Sequence, residues 1–288
     1  MDFNKYQELT KKTDQRKSSA DELNKIIPLL GLIGEIGSVA AEHKKRLRDG
    51  QSYFSFQEKF KEELGDVLWY VARLAGDMNI PLEDVALCNI TKTTERWAAV
   101  KNFLPEESFD KKFPKKEKLP RELIIEFKAN SEQKMQVFIK DKPVGSALTD
   151  NAHSEDGYRF HDIFHLANLA VIGWSPVMRS LLGKKRKSVP IVDEVEDGAR
   201  AIIIEEAISA MVFEHAKDHN FFENITQVDY EILKTIKGMV RNFEVKNISS
   251  SLWEKAILQG YQVYRELKEN NGGKVFIDAN KRTIKYLS

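Results

Sequence analysis

Apolar residues in the first third of the chain return every three or four positions, at Leu29, Ile33, Ile36, Ala40 and Leu47, then at Phe60, Leu64, Val67, Val71, Leu74 and Met78. That recurrence lines one side of an α-helix and does not fit strands, whose sides alternate at every second residue. Two amphipathic helices are predicted. Asp49-Gly50 ends the first, because glycine enters the left-handed conformation at a helix end without a steric penalty. Asn79-Ile80-Pro81 separates the second from a third helix over Leu82 to about Phe103, with proline where a helix can begin. A shorter N-terminal helix completes an all-α bundle of about four, and strand signal is almost absent before Pro120.

At 288 residues the chain suits two domains, since a single core rarely grows past roughly 250 residues. The stretch Leu104 to Leu119 is rich in lysine and proline (Pro105, Pro114, Lys115, Lys116, Lys118) and extends more readily than it packs. The expected organisation is a helical bundle over 1–104, a linker over 105–119 and a mixed α+β domain over 120–288. In that last part Leu123 to Phe127 and Met135 to Ile139 read as one β-hairpin, and Lys274 to Asp278 with Thr283 to Tyr286 as another. Helices are expected near Phe160 to Ile172, Asp193 to Ala216, Asp229 to Asn242 and Ser251 to Asn270.

An apolar share of 42% and a charged share of 31% belong to an ordinary globular protein. With 45 basic and 44 acidic side chains the formal charge is +1, so no overall field recruits nucleic acid or an anionic membrane. Stable nucleic-acid binding and a membrane partner are not expected. Cys88, the sole cysteine, excludes an internal disulfide and a thiolate cluster within one chain and points to a reducing compartment. Met1 to Lys17 is polar, and the apolar stretches Ile26 to Ile33 and Ala201 to Ile204 are short for a bilayer span. A cytoplasmic protein is expected.

Glu35, Ser38, Glu42 and Lys45 fall within roughly an 80° arc of the first long helix, away from its apolar stripe. On the next helix Glu63 and Asp66 are three residues apart and hence neighbours on its surface. Antiparallel packing would bring the two acidic patches face to face. Carboxylates converging from two helices suit magnesium, which takes several oxygen ligands and neutralises crowded like charges; manganese is the alternative. Solvated helix faces have the same spacing, so spacing alone leaves both readings open.

The segments Leu30-Gly31-Leu32-Ile33-Gly34-Glu35-Ile36-Gly37-Ser38 and Glu62-Glu63-Leu64-Gly65-Asp66-Val67-Leu68-Trp69-Tyr70 resemble the MazG-like family of all-α nucleoside triphosphate pyrophosphohydrolases. That family's signature is Glu-x-x-Glu on one helix and Glu-x-x-Asp on the next, and the likeness runs from Leu29 to Trp97. It implies magnesium held by Glu35, Glu63 and Asp66, and cleavage between the α and β phosphates to give a nucleoside monophosphate and pyrophosphate. It also implies phosphate- or sugar-contacting residues at Asn89, Lys92 and Arg96, which share roughly a 60° arc of the third helix, and a homo-oligomer, dimer or tetramer. Lys45 is a further candidate positive charge. Ser38 departs from the signature, standing where the second glutamate belongs. Glu42, one turn on, is the candidate replacement ligand.

In the second domain Tyr158-Arg159-Phe160-His161-Asp162-Ile163-Phe164-His165 places His161 and His165 one turn apart with Asp162 beside them. Glu194, Asp197 and Glu205, at steps of three and eight, share a face of a later helix. These six form a candidate second site, with hydrogen-bonded core histidines as the inert alternative. The wording Leu148-Thr149-Asp150-Asn151, Gly157-Tyr158-Arg159-Phe160-His161-Asp162 and Glu196-Asp197-Gly198-Ala199-Arg200 resembles the C-terminal domain fused to some MazG-like proteins, a likeness that carries no activity with it. Lys184-Lys185-Arg186-Lys187 is either a phosphate-neutralising run or a solvated loop. Trp69, Trp97, Trp174 and Trp253 read as core residues, with Trp69 also placed to stack on a base. The preferred reading is a nucleoside triphosphate pyrophosphohydrolase. Its rivals are a nucleotide sensor that turns over poorly and a second metal-dependent hydrolase in the C-terminal domain.

Overall fold

The computed structural model describes residues 1–16, 22–97 and 108–287, the side chains of 22, 23, 25 and 95–97 excepted. The chain divides into two compact units, Met1–Thr94 and Glu95–Ser288.

The first unit holds four helices, α1 (Phe3–Thr13), α2 (Glu22–Asp49), α3 (Phe56–Asp77) and α4 (Leu82–Trp97). Asp2 caps α1 by accepting the Lys5 amide at 2.7 Å, satisfying one of the donors a helix start leaves bare. α2 carries Pro28 in its interior. Proline has no N–H, so the carbonyl four residues earlier loses its helical donor. Arg16 takes that donor's place, giving its Nη1 to the Asn24 carbonyl at 2.8 Å. The same guanidinium pairs with Asp14 at 2.7 Å and Asp77 at 2.6 Å, and Arg73 Nε reaches Asp14 at 2.9 Å. This network fastens the chain after α1 to the end of α3.

α2 and α3 form an antiparallel hairpin whose partners descend one helix as they climb the other. A Cβ on Gly31 would lie 2.2 Å from the Tyr70 ring, so only glycine admits that ring; Glu35 meets Asp66, and near the turn Glu42 accepts from Tyr53. The expected core stripe of α2 is a correction. The face that meets α3 carries Gly31, Glu35 and Glu42, while Leu30 is 61%, Ile33 62% and Ile36 53% exposed. Among the described residues the buried apolar cluster of this unit is Ala72, Ala75 and Leu82, backed by Tyr6 and Val71. Val85, Leu87 and Ile90 of α4 are exposed as well. Over Ile26–Ser52 the α2 region is long and apolar enough to cross a membrane by length and composition, which corrects the expectation built on the unbroken run Ile26 to Ile33 alone. Its glycines and alanines keep the helix apolar beyond that run.

The second unit is built on a five-stranded antiparallel sheet ordered β3-β2-β1-β4-β5, with β1 at Glu122–Ala129, β2 at Met135–Ile139, β3 at Lys142–Leu148, β4 at Gly273–Asp278 and β5 at Thr283–Leu287. Both expected hairpins are present and are joined by β1 pairing with β4, Ile125 opposite Val275. β3 was not expected from the sequence, because Pro143 and Gly145 weaken its pattern; as an edge strand it tolerates them. Ile125, Phe127, Val275 and Ile277 bury one face of the sheet. They share a core with α5 (Asp162–Ala167), the π-helical turn Asn168–Ile172 that follows it, and α10 (Ser250–Glu269). The remaining helices are α6 (Pro176–Leu181), α7 (Pro190–Val195), α8 (Ala199–Lys217) and α9 (Tyr230–Met239).

Two expectations change here. The single helix over Asp193 to Ala216 is two helices, since a Cβ at Gly198 would lie 1.9 Å from the Glu194 carbonyl oxygen and the chain turns there between α7 and α8. The supposed linker is largely structure: Asp110, Glu117 and Leu119 are buried. Arg179 donates to the Glu117 carbonyl at 3.0 Å and Arg186 to the Phe109 carbonyl at 3.2 Å. Among the described residues, Lys111, Lys112, Pro114, Lys115 and Lys116 line the outside of a segment pinned from within by two arginines. Residues 98–107, which include the expected end of the third helix at Phe103, lie outside the described residues.

Candidate functional site

Two helices of the first unit bring Glu35, Glu63 and Asp66 together, each offering one carboxylate oxygen, and these oxygens lie within 4.8 Å of one another. The i,i+3 spacing on α3 sets Glu63 and Asp66 side by side, and the antiparallel register of α2 supplies Glu35. Glu35 and Glu63 are half-buried and Asp66 is exposed. Burial first, then the neighbouring Asp66 and Glu63, push the Glu35 carboxyl above its usual range. A divalent cation removes that penalty, and three hard oxygens are the donor set magnesium or manganese takes; on this chemistry the residues fit the ion.

Glu42 lies outside this group. It is buried and its carboxylate is taken up by the Lys45 ammonium and the Tyr53 hydroxyl, which hold it below its usual range. Its expected role as replacement ligand is therefore not what the structure places there, because one turn beyond Ser38 carries it toward the hairpin turn, where Tyr53 waits. Lys45 is raised first by Glu42 and to a lesser degree by Glu63, which sets a positive charge beside the acidic group. Asn89 and Lys92 are exposed on α4 and outside the group, and the Arg96 side chain and that of Trp97 lie outside the described residues. One turn along α3 from Asp66, Trp69 and Tyr70 line a pocket of about 510 Å³ together with Thr13, Asp14, Arg16 and Asn24. The indole N–H donates to the Thr13 hydroxyl at 2.8 Å, and the two rings meet edge to face at 4.9 Å.

In the second unit the candidate residues separate. Asp197 is buried as the partner of Arg186, 2.7 Å from its Nη2, and Glu194 is exposed on α7. Both were placed beside Glu205 by assuming one continuous helix, and the turn at Gly198 removes them. Asp162 is buried in the first turn of α5, outside the group that forms. That group is His161, His165 and Glu206, whose ligand atoms also lie within 4.8 Å of one another. Glu206 was missed by the sequence reading; Glu205, its neighbour on α8, instead lies behind His165, its Oε1 3.1 Å from Nδ1. Burial alone would drive the His165 imidazole down, but Glu205 and Glu206 outweigh it and hold the group up at about 10. Trp174 and Trp253 are core residues, as expected.

The basic run resolves by residue. Arg186 is fully buried, bridging Asp197 and Glu244, so it is part of the fold. Lys184 lines an open pocket of about 870 Å³ with Lys115, Lys116, Lys118, Arg121 and Lys140.

Acids gathered from an antiparallel helical hairpin, on a chain that continues into a sheet-and-helix unit, define a class of two-part proteins with a cation-suited acidic group in the helical part. The family described as the MazG nucleotide pyrophosphohydrolase domain matches residues 28–100, and the MazG C-terminal domain matches residues 105–288. The chain belongs to the MazG-like family. Over 69 residues it is 39% identical to the Gene 37 protein of Mycobacterium phage L5, a stretch that is 23% of this chain and 60% of that protein. The chain thus spans less than two thirds of that relative's length. No solved structure matches the chain.

Proposed function

We propose that the chain is a magnesium-dependent nucleoside triphosphate pyrophosphohydrolase that cleaves between the α and β phosphates and releases a nucleoside monophosphate and pyrophosphate. The observation that carries the reading is the convergence of Glu35, Glu63 and Asp66 within 4.8 Å on a domain of this family. Those three residues would hold magnesium, which supplies Lewis-acid polarisation of the phosphoryl oxygens and a more acidic bound water. Lys45 offers positive charge toward the departing pyrophosphate, where negative charge grows during the reaction. Glu42 positions Lys45 through their ion pair and so acts through it rather than on substrate. The Trp69 and Tyr70 rings give the nucleoside an aromatic wall one helical turn from the acids.

The same reading includes a homo-oligomer. Leu30, Ile33 and Ile36 present a continuous apolar face of a helix that a soluble protein covers, and a second copy of the hairpin supplies a matching surface under two-fold symmetry. The test is release of pyrophosphate from a panel of nucleoside triphosphates with and without magnesium, for the native chain and for Glu63→Gln and Asp66→Asn. Magnesium-dependent release lost in both variants, with helical circular dichroism unchanged, is expected. Full activity in either variant would remove these residues from the chemistry, and tight nucleotide binding without release would favour a sensor.

A further inference from the structure

We propose that the second unit carries its own metal site, in which His161, His165 and Glu206 hold a first-row divalent transition ion of the zinc class. The inference is independent of the pyrophosphohydrolase reading, since it rests on other residues in the other unit.

The argument begins with His165. Its side chain is fully buried, yet neither ring nitrogen makes a well-formed hydrogen bond. A buried polar ring needs partners to replace the water it has lost, and hydrogen-bond geometry does not supply them here. Its two nitrogens are flanked instead by carboxylates, Glu205 Oε1 at 3.1 Å from Nδ1 and Glu206 Oε2 at 3.3 Å from Nε2. The Nε2 separation matches adjacent ligands of one ion. Two bonds of about 2.0–2.1 Å at the tetrahedral angle put their ligand atoms roughly 3.3 Å apart.

His161 arrives at the same place by helical spacing, one turn before His165. Its Nδ1 lies 2.9 Å from the Tyr158 carbonyl, which as the acceptor of an N–H fixes the tautomer that leaves Nε2 free to ligate. The Tyr158 ring stacks on it at 4.5 Å and 11°, holding the imidazole plane. Metal-bound histidines are oriented in this way, one nitrogen on the ion and the other against a carbonyl or carboxylate. His161 has its carbonyl and His165 has Glu205.

Glu205 is suited to the backing role and not to the ion. Fully buried, it accepts from Asn168 Nδ2 at 3.2 Å, Ser175 Oγ at 3.1 Å and the Val177 amide at 2.9 Å. Those donors come from the π-helical turn and the start of α6, so an irregular turn of backbone is spent on fixing one carboxylate, and such turns concentrate at functional sites. Glu206, one residue on, has a side chain 42% exposed. The site therefore opens to solvent on the Glu206 side, as three-ligand sites do when they keep a position for water or an anion.

Two imidazoles and one carboxylate select zinc, iron(II) or manganese over magnesium, which prefers oxygen throughout. The two groups of this chain are thus chemically distinct: three oxygens in the helical hairpin, two nitrogens and one oxygen here.

The experiment is zinc titration of the full chain against a competing chelator in excess magnesium, with bound metal counted by mass spectrometry. It is run in a Glu63→Gln background, so that the hairpin acids do not contribute and failure of the pyrophosphohydrolase reading leaves it unaffected. One equivalent of zinc per chain is expected. His161→Ala and Glu206→Gln, both at solvent-accessible positions that leave the core intact, are each expected to weaken it at least tenfold. Near-UV circular dichroism reports that both variants fold. Absence of a stoichiometric zinc ion, or zinc affinity unchanged from the parent in both variants, would overturn the site.

Discussion

Glu35 on α2 and Asp66 on α3 face each other across the helical hairpin, and the charge of Asp66 adds to burial in holding the Glu35 carboxyl above its usual range. The hairpin thus keeps like charges close at a cost to its own stability, a pattern found where charge is stored for a ligand. Glu35→Gln relieves that crowding. In metal-free buffer at neutral pH the variant should melt at a higher temperature than the native chain, and magnesium should raise the melting temperature of the native chain more than that of the variant. Pyrophosphate release should fall in the same variant. Thermal melts with and without magnesium check the first two outcomes.

Acid should loosen the attachment of α1 before it melts the helices. The Arg16 guanidinium, joined by Arg73, holds Asp14 down at about 2 despite burial. A carboxyl depressed on folding contributes stability above its unfolded value, near 3.8, and loses it as pH falls through the folded value. Stability of the first unit should therefore decline between about pH 4 and pH 2, and Asp14→Asn should flatten that part of the curve. Denaturant titrations across this range provide the measurement.

Gly31→Ala should destabilise the hairpin, because its Cβ would meet the Tyr70 ring at 2.2 Å. Overpacking of this kind typically costs about 1–3 kcal/mol. Combining it with Tyr70→Leu should recover part of the loss, which a double-mutant cycle in urea would read. Additive effects would mean that the ring and the glycine do not share the space.

The apolar face of α2 makes a separate prediction about assembly. Leu30→Lys with Ile33→Lys places two charges on the exposed stripe and touches none of the three acids. Sedimentation should show the native chain as an oligomer and the double variant as a monomer. A native monomer that stays soluble at tens of micromolar (about that range suffices to fill a moderate interface) would sink the oligomer.

Arg186 is built into the second unit as a buried cation between Asp197 and Glu244, with its guanidinium over the Phe113 ring at 5.3 Å. Arg186→Met strips Glu244 of its bidentate partner and leaves Asp197 paired with Arg179 alone at 3.6 Å, and breaking such a buried pair typically costs about 3–5 kcal/mol. Thermal melting should show a large loss for this variant, whereas Lys185→Met in the same run should change little.

Much of this arrangement was legible in the chain before its structure. The three- and four-residue periodicity located the long helices, and the resemblance to the MazG-like family, added to a spacing that by itself left two readings open, singled out Glu35, Glu63 and Asp66. Periodicity does not say which side of a helix turns inward, and so the α2 stripe was assigned to a core that the described residues do not supply. The lysines and prolines of 105–119 suggested an extended link because composition is blind to a buried arginine reaching in from far along the chain. Glu206 was hidden for a similar reason. A helical wheel drawn across Gly198 selected Glu205 and Asp197, and one tight turn of backbone rotates the acids to other duties.

The guanidinium of Arg16 has a further consequence for anyone shortening this protein. A fragment begun at α2 would retain every acid of the hairpin and still lose the donor that replaces the missing N–H of Pro28. The bare Asn24 carbonyl, and an Asp77 left with Arg73 alone at 3.6 Å, would then favour fraying of the first turns of α2, so the smallest autonomous form of the domain should include α1 and the segment through Arg16.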